Sequence, residues 1–330
     1  MNRLLIIQTA FIGDVVLSTG LIEKLHQHFP EAEIDFLLRK GNEQLLNGHP
    51  FLREVLIWDK KNNKYGNLIQ LLRKIRTRKY DKVINVQRYF ATGLLTAFSG
   101  AKEKIGFDAN PLSFLFDRKI KHDLHAIPVR HEVERNNDLI AHCTDNHFTK
   151  PKLYPSNKDY TTIEAYIQQP FITASPSSVW QTKKMPLDKW VSFLQKVPNH
   201  YTIYLLGGRE NVEECKSIKE KCNRTQIKIL AGELTMLQSA ALMQKAEWNY
   251  THDSAPLHFC SAVNAPVAAI FCSTDESLGY TPLADRSVII QTNKQLSCRP
   301  CGSHGKKSCP LQHYDCGNTI DIHELLSLLN

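Results

Sequence analysis

Short apolar runs alternate along the chain with longer segments in which apolar residues return every three or four positions. Residues 3–8 form the first run and read as a buried strand. In residues 14–29, Val15, Val16, Leu17, Leu21, Ile22, Leu25 and Phe29 fall mostly on one helical face. The alternation continues with a strand at 33–37, a short helix at 43–47, a strand at 55–58 and a helix at 65–76. A strand at 82–86 and a helix at 91–98 follow. This spacing predicts a parallel sheet covered by helices on both faces.

Between residues 150 and 178 the texture changes. Pro151, Pro155, Pro170 and Pro176 stand among Ser, Thr and Asn, which marks a linker and the start of a second domain. The alternation then resumes, with strands expected at 170–174, 201–206, 227–230, 247–251, 266–271 and 288–291. Helices are expected between them at 187–196, 211–222, 236–245 and 256–263, and an apolar helix at 321–329 closes the chain. The pattern therefore predicts an α/β protein of two doubly wound domains, residues 1–155 and 156–330. Ligands of such sheets sit beyond the carboxyl ends of the strands, here expected in a cleft between the domains.

Composition narrows the class. At 42% hydrophobic and 22% charged residues, the 330-residue chain is neither disordered nor collagenous. Its net charge of +8 suits an acidic partner: nucleic acid, an anionic membrane surface or a phosphorylated substrate. Apolar runs such as 265–272 are far short of the roughly 20 residues that span a bilayer. Gln8 and Asp14 interrupt the opening apolar run, which fits a buried strand better than a signal peptide. Nine cysteines, five of them scattered, fit reduced thiols in a cytoplasmic protein better than a disulfide framework.

Several motifs are missing. No two glycines have G-x-G spacing, which argues against a nicotinamide dehydrogenase, and no P-loop sequence occurs. No two aspartates have D-x-D spacing, so nothing points to a metal clamp on a sugar-nucleotide diphosphate. Bound phosphates would have to be met by backbone amides and cations.

Two constellations fit such a role. Asp14 follows Thr9-Ala10-Phe11-Ile12-Gly13 where a strand gives way to a helix. An ionised carboxylate there is placed to take a proton from an attacking hydroxyl, or simply to complement the helix dipole. In His252-Asp253-Ser254-Ala255-Pro256-Leu257-His258 a strand leads into a helix, with Ser254 as N-cap and Pro256 in the first turn. Free amides of Ser254, Ala255 and Leu257 would attract a diphosphate, within reach of His258. Plain capping and a buried histidine explain the same residues. Thr274, in the turn after the next strand, is expected to face the same ligand, and Lys183 or Lys184 would neutralise a phosphate or lie in solvent. Gly207-Gly208 would let backbone approach a ligand, with Glu210 on a ribose, or would form a left-handed turn.

These stretches resemble glycosyltransferase family 9, the ADP-heptose:lipopolysaccharide heptosyltransferases. The similarity rests on T-A-F-I-G-D-V-V-L-S-T, on K-K-M-P before a Trp-containing helix, and on the run from G-G-R-E through A-G-E-L to H-D-S-A-P-L-H-F-C-S-A-V-N-A-P-V-A-A-I-F-C-S-T-D. It extends over most of the chain, from Leu4 to Cys316. The resemblance implies a GT-B fold of two Rossmann-like domains and an inverting, metal-independent transfer. It implies Asp14 as general base and Thr9, Gly13, Lys183, Glu210, Asp253, Ser254, Ala255, His258 and Thr274 at an ADP-sugar donor. Departures are Ala255, where the family usually has Gly, and Cys272-Ser273, where it usually has Gly-Pro.

The implied acceptor is an acidic, lipid-linked oligosaccharide of the lipopolysaccharide inner core. Arg39, Lys40, Arg88, Arg130, His131 and Arg135 are the candidates to bind it, or are ordinary surface charges. The basic segment 65–79 is placed to graze an anionic inner membrane from the cytoplasmic side. Cys298, Cys301, Cys309 and Cys316, with His304 and His313 nearby, fit a structural zinc site or a set of free thiols. Two other readings remain: a GT-B enzyme using another sugar nucleotide or acceptor, and a zinc-stabilised nucleic-acid-binding protein. No aromatic-basic motif supports the second, and no nucleic-acid partner is expected.

Overall fold

A computed structural model describes residues 2–124 and 126–329. The chain divides into two compact units, Met1–Tyr154 and Pro155–Asn330, one residue before the boundary expected at 155/156.

In the first unit, β1 (Arg3–Ile7) leads into α1 (Ile12–His28), followed by β2 (Glu33–Arg39) and β3 (Leu52–Trp58). Next come α2 (Lys64–Arg78), β4 (Lys82–Asn85), α3 (Phe90–Ala97), β5 (Glu103–Phe107), β6 (Arg118–Ile120) and α4 (Glu132–Asp138). All six strands are parallel, in the order β3-β2-β1-β4-β5-β6. Leu5, Ile7, Leu37, Val83, Leu71 and Ile75 join sheet and helices in one core. The strand expected at 55–58 begins at Leu52, and the helix expected at 43–47 is a 3-10 turn, Glu43–Leu46.

The second unit repeats the plan. It runs α5 (Asn157–Ile163), β7 (Phe171–Ser175), α6 (Leu187–Lys196), β8 (Thr202–Leu205), α7 (Val212–Cys222) and β9 (Ile227–Ile229). Then follow α8 (Met236–Lys245), β10 (Asn249–His252), α9 (Ala255–Val263), β11 (Val267–Phe271), β12 (Ser287–Gln291), α10 (Asp315–Asn318) and α11 (Ile322–Ser327). The parallel order β12-β11-β10-β7-β8-β9 is the first unit's order with each strand in its equivalent place. Trp190, Phe193, Tyr250 and Ile270 are wholly or almost wholly buried in its core. Each such side chain stabilises the unit by roughly 1.5–3 kcal/mol through burial. The Tyr250 hydroxyl donates to the Leu325 carbonyl at 3.0 Å, tying the closing helix beneath β10.

In both sheets the strand order reverses at one point: between β1 and β4 in the first unit, and between β7 and β10 in the second. Loops leaving the carboxyl ends there diverge and leave room for a ligand. The two constellations read from the sequence leave the sheet at these points.

Candidate functional site

In the first unit, the loop after β1 is held from three sides. Gln87 donates to Gln8 Oε1, and Gln8 donates to Ser18 Oγ at 3.3 Å, so buried amides link the ends of β1 and β4. Asn42, beyond β2, donates to the Ala10 carbonyl at 3.2 Å. Lys60 donates to the Thr9 carbonyl at 2.7 Å and to its hydroxyl at 3.0 Å. Asp14 stands in the first turn of α1, half-buried, and accepts the Phe11 amide at 3.1 Å. It thus caps its own helix, which also fixes its carboxylate. The half-buried Arg39 feels that carboxylate, and its guanidinium lies 5.1 Å from the Phe11 ring centre. Burial, with Arg39 and Lys64 close by, lowers the Lys60 pKa to about 8. Arg39 thus stands near Asp14, with Lys60 and Lys64 near Arg39.

Not every expected ligand residue faces outward. Thr9 is buried with its oxygens committed to Lys60, so it anchors the loop base and does not present itself to a donor. Arg135 is buried against Glu132 at 2.8 Å and the Arg130 carbonyl, and Arg130 pairs with Asp138 at 2.6 Å. His131 is the N-cap of α4 and accepts the Val133 amide at 3.1 Å. These three residues thus help build α4: His131 as its N-cap, the buried Arg135 and the part-exposed Arg130 through ion pairs within the unit. Lys40 is exposed and paired with Asp59 at 2.9 Å, while Arg88 is exposed at the end of β4.

In the second unit the ends of β7 and β10 come together. Lys183, on the 3-10 turn Gln181–Lys183, donates to Asp253 Oδ2 at 2.6 Å. The buried Thr274 donates to the same oxygen at 2.7 Å. Thr274 therefore orients Asp253 instead of reaching a ligand directly. Ser254 occupies the N-cap of α9, but its hydroxyl makes no cap bond. The first turn is thus left without a side-chain cap, as an anion site requires. The Leu257 amide, expected free, is taken by the Ser254 carbonyl at 3.1 Å. Small Ala255 stands at the helix start, and the buried His258 ring lies 6.4 Å from that of Tyr280.

Glu210 is exposed on the turn Arg209–Asn211, with its carboxylate folded over Gly208. Gly208 has φ −77°, so the left-handed turn is not formed. A Cβ on Gly207 would press on Asn211 Cβ at 2.9 Å, whereas one on Gly208 would meet only the carboxylate end of the exposed Glu210 at 2.5 Å, which can swing away.

Cys298, Cys301, Cys309 and Cys316 border one cavity of about 360 Å³ with His313 and Tyr314. Among the described residues, no three His, Cys, Asp or Glu side chains are grouped so as to hold a metal ion. Burial and the neighbouring thiols push Cys316 up to about 11. The four thiols share one cavity, and Cys316 lies close enough to Cys309, Cys298 and Cys301 to feel their charge. What the segment does is brace the donor loops. The Thr182 N–H donates to the Lys306 carbonyl at 3.1 Å, the Lys306 N–H donates to Thr182 Oγ1 at 2.7 Å, Cys301 N–H donates to the Ser273 carbonyl at 2.7 Å, and Arg299 donates to the Thr274 carbonyl at 2.7 Å.

The sequence profile of glycosyltransferase family 9 (heptosyltransferase) matches residues 68–314. The chain belongs to glycosyltransferase family 9. It is 25% identical over 280 residues to lipopolysaccharide heptosyltransferase 3 of Escherichia coli, covering 80% of this chain and 82% of that one. A family 9 glycosyl transferase from Veillonella parvula superposes with TM-score 0.79 at 19% identity, over 87% of this chain and 85% of its own. E. coli ADP-heptose lps heptosyltransferase II superposes with TM-score 0.77 at 20% identity, over 100% and 98%. The fold is that of the GT-B enzymes, with two Rossmann-like domains, and the protein is a glycosyltransferase. Family membership removes the nucleic-acid-binding reading.

Two groups escaped the sequence reading. Lys60 looked like one more lysine in a polar loop. Thr182 is a small hydroxyl without a motif of its own, and its bond with Ser273 at 3.0 Å joins two segments far apart in the chain.

Proposed function

We propose that this enzyme transfers heptose from ADP-heptose to an acidic sugar of the lipopolysaccharide core, with inversion and without a catalytic metal. The observation that carries the reading is the Lys183–Asp253 pair beside the uncapped start of α9, at the strand-order reversal of the second unit. A diphosphate placed there meets a cation already aimed by a buried carboxylate, together with helix amides. These groups take up the charge that develops as the nucleotide leaves. Asp14 accepts the proton of the acceptor hydroxyl as its oxygen attacks the anomeric carbon from the face opposite the diphosphate. One displacement inverts that carbon. Arg39, Lys60 and Lys64 supply positive charge beside Asp14 for an acidic acceptor.

The relatives support the donor and acceptor classes: one is named a lipopolysaccharide heptosyltransferase and another an ADP-heptose enzyme. Among the described residues, no helix is long and apolar enough to cross a membrane. Peripheral contact is proposed through α2, a basic helix with Tyr65 and Ile69 exposed. A second reading, another sugar nucleotide on the same site, draws on Ala255 and Cys272-Ser273, where the chain departs from the family pattern.

Nucleotide-dependent melting tests the donor assignment. ADP is expected to raise the melting temperature, by several degrees at saturation, while UDP and GDP have little effect. A larger shift with UDP or GDP would move the assignment to the second reading.

A further inference from the structure

His252 is the last residue of β10, and its side chain is wholly buried. The next residue, Asp253, holds the Lys183 side chain. Two residues beyond that lysine, Met185 donates its backbone N–H to His252 Nε2 at 2.8 Å. The end of β10 thus grips the 183–185 segment twice: Asp253 takes a side chain and His252 takes the backbone. Because Nε2 accepts, the neutral ring carries its proton on Nδ1, a buried atom with no hydrogen-bond partner among the described residues; the Ser177 backbone lies near the ring. Ser177 and Met185 stand at opposite ends of the loop that leaves β7, so one imidazole spans the base of that loop. The Trp190 ring of α6 meets it edge-on at 5.5 Å and 79°, which fixes its plane.

The remaining supports of the loop act elsewhere. The Tyr314 hydroxyl donates to the Lys184 carbonyl, Thr182 pairs with Lys306, and Lys184 reaches Glu214 at 3.1 Å. None of them serves the Met185 N–H. An apolar residue at position 252 would leave that buried donor unsatisfied, and the loop would have to shift to find it a partner.

We propose that His252 is a positioning residue of the donor site. Its neutral imidazole accepts from Met185 and sets the loop so that Lys183 is aimed at the donor diphosphate. The proposal rests on the ADP-sugar reading of the second unit and adds a residue that touches no substrate.

Calorimetric titration of the full chain with ADP, joined to donor kinetics, tests it. His252→Leu removes the acceptor at similar volume; it is expected to weaken ADP binding and raise the donor KM about tenfold, with kcat changed less than about threefold. His252→Gln restores an acceptor of similar reach and is expected to stay within about threefold of wild type in both. Should His252→Leu not fold, His252→Asn carries the same expectation of weakened binding, because its amide is too short to reach Met185. A folded His252→Leu or His252→Asn that binds ADP like wild type, or a His252→Gln as impaired as His252→Leu, would overturn the positioning role. A wild-type chain that ignores ADP would instead overturn the ADP-sugar reading, and the proposal with it.

Discussion

Lys183 and Asp253 each make the other's burial tolerable. Their side chains are only 13% and 6% exposed, so removing one partner leaves the other charged in a poor medium for charge. Lys183→Met is therefore expected to destabilise the second unit by about 3–5 kcal/mol and to weaken ADP binding. Lys183→Met combined with Asp253→Asn should recover most of the stability but not the binding, as denaturation and titration of both variants will show. Asp14 is a different case, because it caps α1 through the Phe11 amide while facing the proposed acceptor. Asp14→Asn should leave ADP affinity near wild type and cut turnover by ~10²–10⁴; near-native turnover would mean that another group takes the proton. At this scale the sequence was readable where neighbours in the chain are neighbours in the site, as in Asp253-Ser254-Ala255. It was not readable where a partner lies far away: Lys60 reaches Thr9 across 51 positions, and nothing in its surroundings marks it. Arg130 and Arg135 read as available charges although their acidic partners Asp138 and Glu132 stand close by in the chain, and nothing in the sequence marks His131 as an N-cap.

The segment 297–306 is the element that the sequence describes least well, because its cysteines invite a metal reading while its backbone does the bracing. Gly305 has φ +78°, and a Cβ there would come within 3.0 Å of Thr182 Oγ1. Gly305→Ala is expected to cost about 1–2 kcal/mol through the left-handed backbone alone. It should also weaken ADP binding by loosening the segment's hold on Thr182; unchanged binding would show that the brace does not reach the donor loop. α1 was legible because its apolar positions return every three to four residues, and β1 because Leu4 to Ile7 form one unbroken apolar run. The stretch 99–150 was not, since β5, β6 and α4 have only five, three and seven residues. Elements so short show too few buried positions for a period to emerge, and pairing of β5 with β4 and of β6 with β5 makes those two segments strands.

Two units with one strand order carry their candidate residues at equivalent points: Asp14 after the central strand of one, and the uncapped start of α9 after the central strand of the other. Their stability shares an acid weakness. Burial, with Lys152 and His26 nearby, lowers His49 to about 4, and burial beside Lys184 lowers His252 to about 3. Between those values and 6.5 the unfolded chain takes up protons that the folded chain refuses, so stability falls as pH falls through this window. Each histidine contributes up to about 1.4 kcal/mol per pH unit there. His49→Phe, in a site already lined by Phe51 and Tyr154, should make the loss of stability below pH 6.5 shallower in denaturant titrations at a series of pH values. An unchanged slope would mean that His49 already titrates normally in the folded chain.

The decisive measurement is a donor comparison with product analysis. The enzyme is incubated with a lipopolysaccharide acceptor lacking its outer core and with ADP-heptose, or with UDP- and GDP-sugars. Heptosyl product is expected from ADP-heptose alone, with inverted anomeric configuration and undiminished yield in the presence of a chelator. Retained configuration, or efficient transfer from a UDP- or GDP-sugar with none from ADP-heptose, would contradict it.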